Sequence, residues 1–293
     1  MKFLMSIFIT ILCFSCESVF EFKQADFVSD IVVTCILDAN GPSLINVDQT
    51  YPVVGYSELT IPTIDDFEVT LYENGKVTEK LMVFPGENFF ETVPKVGYEY
   101  HLTYKDKGKE VTSDVVIIPQ PLKSVVISEM VVTNSKLNFD TKALEVTILA
   151  DLDEPTYDFI SFRILGKRNQ SFVPVNSYDP QRDGLVADPC NEIGIFDSYI
   201  VSRNCSIDNK ITKYLGAETV FYNNGVFNYR EFEIIVESLS KSYKDYLTDI
   251  NIDSIERAFV PYFSAYSNMS NGIGVMAAKN SKILRVRLDS PPF

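Results

Sequence analysis

The side chains in this sequence that could carry out catalysis are few. The chain contains one histidine, His101, so a Ser-His-Asp triad would have to use that residue, and a metal site with several histidine ligands is excluded. His101 alternates with Tyr100, Leu102 and Tyr104, which predicts a strand residue on the solvent side. The residue types therefore argue against an enzyme, and we predict no catalytic residue and no cofactor.

Carboxylates that could bind calcium occur at the end of one predicted strand, as Asp151, Asp153 and Glu154. Their spacing lacks the glycine and the loop of an EF-hand, so a solvated turn is the preferred interpretation and bound calcium the alternative. Gly272-Ile-Gly274 lacks the third glycine and the following helix of a dinucleotide site. We therefore predict no metal site and no phosphate site.

The cysteines that follow the first sixteen residues have structural roles in our interpretation. Cys190 and Cys205 flank a short loop rich in turn-forming residues, and the sequence predicts a disulfide between them, with two free surface thiols as the alternative. Cys35 lies inside the apolar run 31–37, so we expect it to be a small residue of the core.

The first residues have the pattern of an export signal. A basic Lys2 precedes a run, 3–14, whose only polar residues are Ser6 and Thr10, and this run is shorter than the ~20 residues that span a bilayer. Leu12 to Cys16 is similar to a bacterial lipobox, in which a small residue precedes the cysteine that is lipidated. The sequence predicts a signal peptide over residues 1–15, lipidation at Cys16 and a tether over 16–29. The alternative is that Cys13 and Cys16 are both ordinary residues of the hydrophobic part of the signal and carry no lipid.

The composition limits the class of protein to which the rest of the chain can belong. It has 293 residues, 46% hydrophobic, with Phe 21, Tyr 16 and Trp 0, a content that favours a globular, β-rich protein. Lys and Arg total 26 against 40 Asp and Glu, giving a formal net charge of -14. Because phosphate binding needs a basic surface, nucleic acid is excluded as a partner.

The pattern of short strands predicts an Ig-like β-sandwich over residues 30–119. Residues 67–72 alternate apolar and polar side chains and lead into Asn74-Gly75, a pair typical of a tight hairpin. Prolines at 119 and 121 block ladder hydrogen bonds and end this predicted domain.

A second β-rich domain is predicted over residues 120–293. Strands are predicted at 124–132, 143–152, 158–165 and 283–288. In 238–250 the apolar residues repeat with a helical period, which predicts the one substantial helix, capped by Ser238 or Ser240. The fold class is therefore mainly β, with this helix near the C-terminal end.

Aromatic residues between 174 and 232 are the candidate binding residues. The segment combines turn formers, the predicted disulfide and tyrosines, and loops on rigid scaffolds often carry recognition. We predict that Tyr199, Tyr214 and Tyr222 are exposed and contribute to docking, with a core role as the alternative.

Several motifs taken in order resemble one known family. The lipobox-like start, the sandwich ending in Pro-x-Pro, the cysteine pair, Tyr243 to Leu247 and Ser267 to Val275 resemble the domain of unknown function 4249 family of Bacteroidota lipoproteins. The resemblance implies an outer-membrane lipoprotein, often found beside TonB-dependent transporters, with no assigned activity. Val275-Met276 stands where that family more often has an aromatic residue after the Gly-x-Gly pair.

The lipobox-like start predicts a lipid-anchored protein, and the family resemblance implies the outer membrane, on its periplasmic or cell-surface face. The resemblance further implies a binding or accessory subunit of a TonB-dependent nutrient-uptake complex, whose ligand the residues do not identify. The alternative is a structural or adhesive envelope lipoprotein that captures no nutrient.

Overall fold

The structure, a computed structural model, describes residues 30–50, 67–135, 142–152, 158–168, 170–175, 177–178, 190, 192–193, 199–219, 221–222, 226–227, 229–250 and 266–288. All of them belong to one unit that comprises Asp30–Thr50 and Thr63–Phe293. The predicted signal peptide, the tether with Cys16, and the carboxylates Asp153 and Glu154 lie outside the described residues.

A nine-stranded central sheet runs through this unit. Its strands are β1 (Ile31–Asp38), β2 (Ser43–Gln49), β5 (Gly86–Phe90), β11 (Phe159–Arg168), β12 (Ser171–Pro174), β14 (Glu192–Ile193), β15 (Tyr199–Ser202), β19 (Glu231–Leu239) and β21 (Ile273–Arg287). The strand order is β14-β15-β11-β19-β21-β1-β2-β5, and β12 pairs with β11.

The described residues form three further sheets. A six-stranded sheet contains β3 (Phe67–Glu73), β4 (Lys76–Val83), β6 (Glu99–Asp106), β7 (Lys109–Ser113), β8 (Val116–Ile117) and β20 (Met269–Ser270). A four-stranded sheet contains β9 (Ser124–Asn134), β10 (Lys142–Asp151), β13 (Ser177–Tyr178) and β16 (Lys210–Thr219). A separate hairpin pairs β17 (Phe221–Tyr222) with β18 (Val226–Phe227). The prediction of a mainly β fold is confirmed.

The local strand pattern predicted in the N-terminal half is present, while the Ig-like sandwich over residues 30–119 stays a prediction. Tyr100, Leu102 and Tyr104 alternate along β6 and are buried, whereas His101 between them is only half-buried. Asn74 and Gly75 have φ of 48° and 74° and form the predicted tight hairpin between β3 and β4.

Two large hydrophobic cores lie on the strands of the central sheet. One joins β1 and β2 to the six-stranded sheet and contains residues between Val33 and Ile118 together with Met276 and Ala278 of β21. The other joins β11 and β19 to the four-stranded sheet and contains residues between Leu122 and Val286. The predicted domain boundary at residue 119 stays a prediction, but both cores use β21.

Strand β21 changes partner halfway along its length. Its first half, Ile273 to Lys279, pairs in parallel with β1, and its second half, Lys279 to Arg287, pairs in antiparallel with β19. Lys279 is the residue at the change, since it lies opposite both Asp38 and Leu239. The sequence predicted only the last part of this strand, from Ile283 onward.

The predicted helix is present as α1 (Lys241–Ile250). The Ser240 hydroxyl accepts a hydrogen bond from the Tyr243 amide at 3.3 Å, so Ser240 is the cap. Tyr243 and Leu247 are buried in a third, smaller core with Val275 and Ala277 of β21. This contact holds the helix on the central sheet.

Both predictions about the cysteines of the described region are confirmed. Cys190 and Cys205 form a disulfide, with their Cα atoms 5.6 Å apart. Cys35 is fully buried, and this burial raises the pKa of its thiol to about 12, which makes it an inert core residue at neutral pH.

We expect the Cys190→Ser/Cys205→Ser double variant to lose about 3 kcal/mol of unfolding free energy. The bond closes a loop with a sequence separation of 15, and without it the unfolded chain gains entropy. Urea unfolding of the oxidised protein with and without dithiothreitol measures the effect. Equal midpoints in the two conditions would contradict the prediction, and the double variant, which has no bond to reduce, is the control for the reductant.

Two properties of the described residues bear on function. No helix among them has the length and apolar character needed to cross a bilayer. Within the same part of the chain, no group of three or more His, Cys, Asp and Glu side chains is placed to hold a metal ion.

Candidate functional site

A cleft of about 610 Å³ opens where β1 ends beside β21. One wall comes from the turn between β1 and β2, another from the proline-containing connection before β9, and the floor from β11, β19 and β21. The lining residues are Asp38, Asn40, Gly41, Pro42, Pro121, Leu122, Arg163, Ile235, Glu237, Lys279, Asn280, Ser281, Lys282 and Ile283.

Strand register brings the polar floor residues together. Ser161, Glu237 and Ser281 lie opposite one another on β11, β19 and β21 and form one row across the sheet. Lys279 and Asp38 form part of the neighbouring row on the same face, two residues along β21. Side chains from four strands therefore converge on one point of the floor.

The charged side chains at this point form an ion cluster, which we define as Asp38, Arg163, Glu237 and Lys279. The Lys279 ammonium lies 2.6 Å from the Glu237 carboxylate and 3.5 Å from that of Asp38. Arg163 Nη2 lies 3.4 Å from the same Glu237 oxygen as Lys279. The Glu237 side chain is only 2% exposed, so these interactions take place largely out of water.

Hydroxyl groups and a backbone amide also donate hydrogen bonds to the two carboxylates. Ser161 Oγ donates to Glu237 Oε2 at 2.8 Å, and Ser281 Oγ donates to Asp38 Oδ2 at 2.8 Å. The backbone N–H of Asn40 donates to Asp38 Oδ1 at 3.0 Å, which also fixes the turn that follows β1. Both carboxylates are thus oriented by hydrogen bonds as well as by charge.

The contacts between Glu237 and Lys279 favour the charged forms of both residues. Burial by itself raises the pKa of Glu237, but the Lys279 and Arg163 charges and the hydrogen bonds outweigh it and lower that pKa to about 2. Burial likewise opposes the charge of Lys279, and Glu237 together with Asp38 raises its pKa nonetheless. A carboxylate this acidic is a poor general base, so the floor is suited to binding rather than to proton transfer.

The single histidine is remote from this chemistry. His101 stacks on Tyr72 in the six-stranded sheet, with ring centroids 4.4 Å apart, and it does not line the cleft. Burial lowers its pKa from the ordinary value. Among the described residues, the cleft floor therefore has no imidazole that could serve as its base.

The structure corrects one predicted binding residue. Tyr199 is 5% exposed and packs in the core between β11 and the four-stranded sheet, with the Lys213 ammonium 4.6 Å from its ring centroid. The prediction that Tyr199 is exposed is wrong, because aromatic content alone does not distinguish a core strand from a loop. Tyr214 is half-buried in β16, and Tyr222 belongs to β17.

The ion cluster was missed in the sequence because its members are distant in the chain. Asp38 and Lys279 are 241 positions apart and meet only through the parallel pairing of β1 with β21. One feature of the sequence could have indicated the cluster. Glu233 and Glu237 interrupt the apolar strand β19, and a buried carboxylate requires a partner.

Comparisons with known proteins identify a family for the chain. The model of the family described as Domain of unknown function (DUF4249) matches residues 17–284. No match was found among curated proteins. Among solved structures, apo Bacteroides uniformis beta-glucuronidase 3 is similar over 72% of this chain and 23% of that chain, with 10% identity and a TM-score of 0.19, which supports no argument.

Proposed function

We propose that the chain, which belongs to the Domain of unknown function (DUF4249) family, is a lipid-anchored binding or accessory protein of the outer membrane. In this proposal Cys16 carries the lipid, and the folded unit serves a TonB-dependent nutrient-uptake complex. The support is the signal-like run that ends at Ser15-Cys16 and the resemblance of the motifs to a family of envelope lipoproteins.

The observation that carries the binding role is the cleft with its fixed, charged floor. Its volume of about 610 Å³ falls within the range of roughly 300–1,000 Å³ that is usual for small-molecule sites. The polar side chains of the floor already hold one another in place. Binding of a ligand would therefore cost little side-chain conformational entropy.

Binding is preferred to catalysis on chemical grounds. The described residues that line the cleft include no cysteine, and their serine, Ser281, lies 2.8 Å from Asp38 Oδ2 and 3.2 Å from Glu237 Oε1. Activation of a serine nucleophile needs a base that accepts its proton, and a carboxylate with a pKa of about 2 accepts it poorly.

The alternative is a structural or adhesive envelope protein, and a different surface favours it. Met82, Phe84 and Phe89 are each half-exposed around the corner where β4 leads into β5. Apolar side chains grouped at a surface are typical of contacts between proteins. A protein that works through this corner would need no ligand in the cleft.

The anchor can be tested with one cysteine variant and its neighbour as the control. We expect Cys16→Ala to shift the protein out of the detergent phase in a phase-partitioning assay or to leave its precursor uncleaved, because no acyl chain can then be attached. Cys13→Ala, which changes the other cysteine of the same segment, should partition like the unchanged protein. Unchanged partitioning of Cys16→Ala would contradict lipidation at this residue.

The partner is tested by purifying the anchored protein in mild detergent and identifying what remains bound. Recovery of a TonB-dependent transporter would support the uptake role. Recovery of envelope structural proteins without a transporter would favour the alternative, and in that case variants at Met82 and Phe84 should weaken the association.

A further inference from the structure

The central sheet has an uncovered edge along the second half of β21. β1 pairs with β21 only as far as Lys279, and the described residues provide no strand beside residues 283–287 on that side. The last contact on this edge is made by the Asn40 side chain, whose amide donates to the Ser281 carbonyl oxygen at 3.0 Å. β19 covers only the opposite edge. Beyond Ser281, no described residue therefore continues the row that β1 begins.

The backbone groups of this edge point away from β19. The Leu288 N–H donates to the Arg230 carbonyl oxygen at 2.8 Å and continues the ladder between β19 and β21, so the even-numbered residues of this half of β21 exchange hydrogen bonds with β19. In an antiparallel pair the alternate residues direct their N–H and C=O groups to the other side. Ile283, Arg285 and Arg287 therefore each present one donor and one acceptor at the uncovered edge.

A groove follows this edge, because the four-stranded sheet ends on the same side with its edge strand β9. A cavity of about 400 Å³ is lined by residues 127–130 of β9 and residues 285–287 of β21. The cleft of about 610 Å³ reaches the same edge at Lys282 and Ile283. The two cavities follow one another along β21, so there is room for an extended chain beside residues 283–287.

The inner side of the groove is apolar and incompletely covered. Met130 lies opposite the core residue Val146 and therefore faces the core, yet Met130 is 46% exposed. Leu284 and Val286 of β21 lie on the same inner face, since their partners on β19 belong to that core. Apolar side chains of an added strand would cover Met130 and extend this core.

The groove carries more cations than carboxylates. The Arg285 side chain is 78% exposed and has one ion pair, with Glu233 at 2.9 Å. Arg287 and Lys282 are exposed, and neither makes an ion pair with a residue that the structure describes. Glu129 is the one carboxylate among the described residues that line the smaller cavity. In a chain with a formal net charge of -14, this local excess of positive charge favours a partner that carries carboxylates.

We propose that this edge binds an extended, acidic segment of a partner protein, which adds to the central sheet as a strand beside residues 283–287. Apolar residues of the segment alternate with carboxylates, so that the apolar ones face the core beside Met130 and the carboxylates lie near Arg285 and Arg287. Strand addition obtains affinity from backbone hydrogen bonds and specificity from alternate side chains.

A second copy of the chain fits this edge less well than an acidic segment. In a two-fold symmetric pairing each copy would bring its own Arg285 and Arg287 to the interface, and like charges across a strand pair are destabilising. The inference goes beyond the proposed function, and it requires neither the lipid at Cys16 nor a ligand in the cleft.

Three synthetic peptides test the occupant on the full-length protein in detergent, with affinity measured by calorimetry. The first is acetyl-TVEVEVT-amide, the second has lysine in place of both glutamates, and the third is the first peptide with N-methyl groups on its central residues. We expect the acidic peptide to bind about tenfold more tightly than the basic one, because the charges in the groove attract one and repel the other. The N-methylated peptide should not bind, since it cannot donate to the carbonyl oxygens of β21.

Variants connect the binding to the uncovered edge. Ile283→Pro removes an N–H from this edge without removing a hydrogen bond to β19, and it should weaken binding of the acidic peptide about tenfold. Ile283→Thr also changes the side chain but keeps the N–H, so it should bind with nearly unchanged affinity. Arg287→Glu reverses an exposed charge and should reduce the preference for the acidic peptide over the basic one. Lys105→Glu reverses an exposed charge on β6 of the six-stranded sheet and is the control, with normal binding expected.

The remaining outcomes each overturn a defined part of the inference. Equal affinities for the acidic and basic peptides, or an unchanged preference in Arg287→Glu, would refute an acidic partner. Normal binding of the N-methylated peptide, or by a folded Ile283→Pro variant, would refute strand addition. If sedimentation shows a dimer that Ile283→Pro converts to a monomer, the occupant is a second copy and the proposed partner is wrong. Absence of binding by all three peptides overturns the inference, whereas the lipid anchor and the transporter are tested separately by Cys16→Ala and by co-purification.

Discussion

Replacing Glu237 with glutamine is expected to lower the free energy of unfolding at pH 7 by about 3–5 kcal/mol. The substitution keeps the shape of the side chain but removes the charge that Lys279 and Arg163 share. Lys279 would then keep only the longer contact with Asp38. An incompletely paired ammonium in a largely buried position is costly, because the water it lost on folding is no longer replaced by an equivalent charge.

A surface pair provides the matched control for Glu237→Gln. Glu68 and Lys80 form an ion pair at 2.7 Å, but both side chains are about half-exposed. Glu68→Gln should therefore change the free energy of unfolding by less than about 1 kcal/mol. Urea unfolding of the two variants measures both values. Equal losses of unfolding free energy would show that burial does not determine how much the ion cluster stabilises the protein.

The pH dependence of stability gives an independent check on Glu237. Its pKa is about 2 in the folded protein against an ordinary value of 4.5, so its contribution to stability is present above pH 4.5 and is lost as the pH falls toward 2. Between pH 4.5 and 2, Glu237 should therefore bind a proton when the protein unfolds. The stability difference between the unchanged protein and Glu237→Gln should therefore shrink between pH 4.5 and 2, and a constant difference would contradict the low pKa.

Replacing Gly274 with alanine is expected to cost about 4 kcal/mol or more. Gly274 has φ of 147°, which strains an L-residue, and an alanine Cβ would lie 2.0 Å from the carbonyl oxygen of Val33. Backbone strain contributes roughly 1–3 kcal/mol and overpacking a similar amount. Relief of the contact would require β1 and β21 to separate at the point where Val33 faces Gly274.

Gly108→Ala separates these two causes. Gly108 has φ of 76°, and nothing lies within 4 Å of the position of its added Cβ. It should lose only about 1 kcal/mol, from strain at a positive φ. Thermal unfolding followed by circular dichroism measures both variants. If Gly274→Ala proves no worse than Gly108→Ala, the close approach to β1 is not what requires the glycine.

Local patterns in the sequence were sufficient for the elements whose contacts are local. The Asn74-Gly75 hairpin, the alternation along β6, the helix capped by Ser240 and the disulfide each depend on residues that are near one another in the chain. In each case a single physical cause dominates, such as a positive φ or a side-chain oxygen that accepts from a free amide. These features could be predicted without knowledge of the tertiary structure.

The candidate site could not be predicted, because it depends on register between distant strands. The sequence does not indicate that β1 pairs with β21 instead of a neighbouring strand, and a shift of one residue would turn Lys279 to the other face. The short strands β12 to β15 were missed for a related reason, since they extend sheets that other segments begin. Tyr199 was assigned to the surface because β15 is one of them.

The parallel pairing of β1 with β21 also determines the order in which the chain can fold. Synthesis proceeds from the N-terminus, so β1 exists long before residues 273–279, and until they arrive one edge of β1 lacks the strand that covers it. An uncovered edge of an apolar strand is a template for pairing with other chains. The core that contains Val33 therefore stays incomplete until Met276 and Ala278 of β21 have been synthesised, and we expect a chain that lacks β21 to aggregate through the uncovered edge of β1.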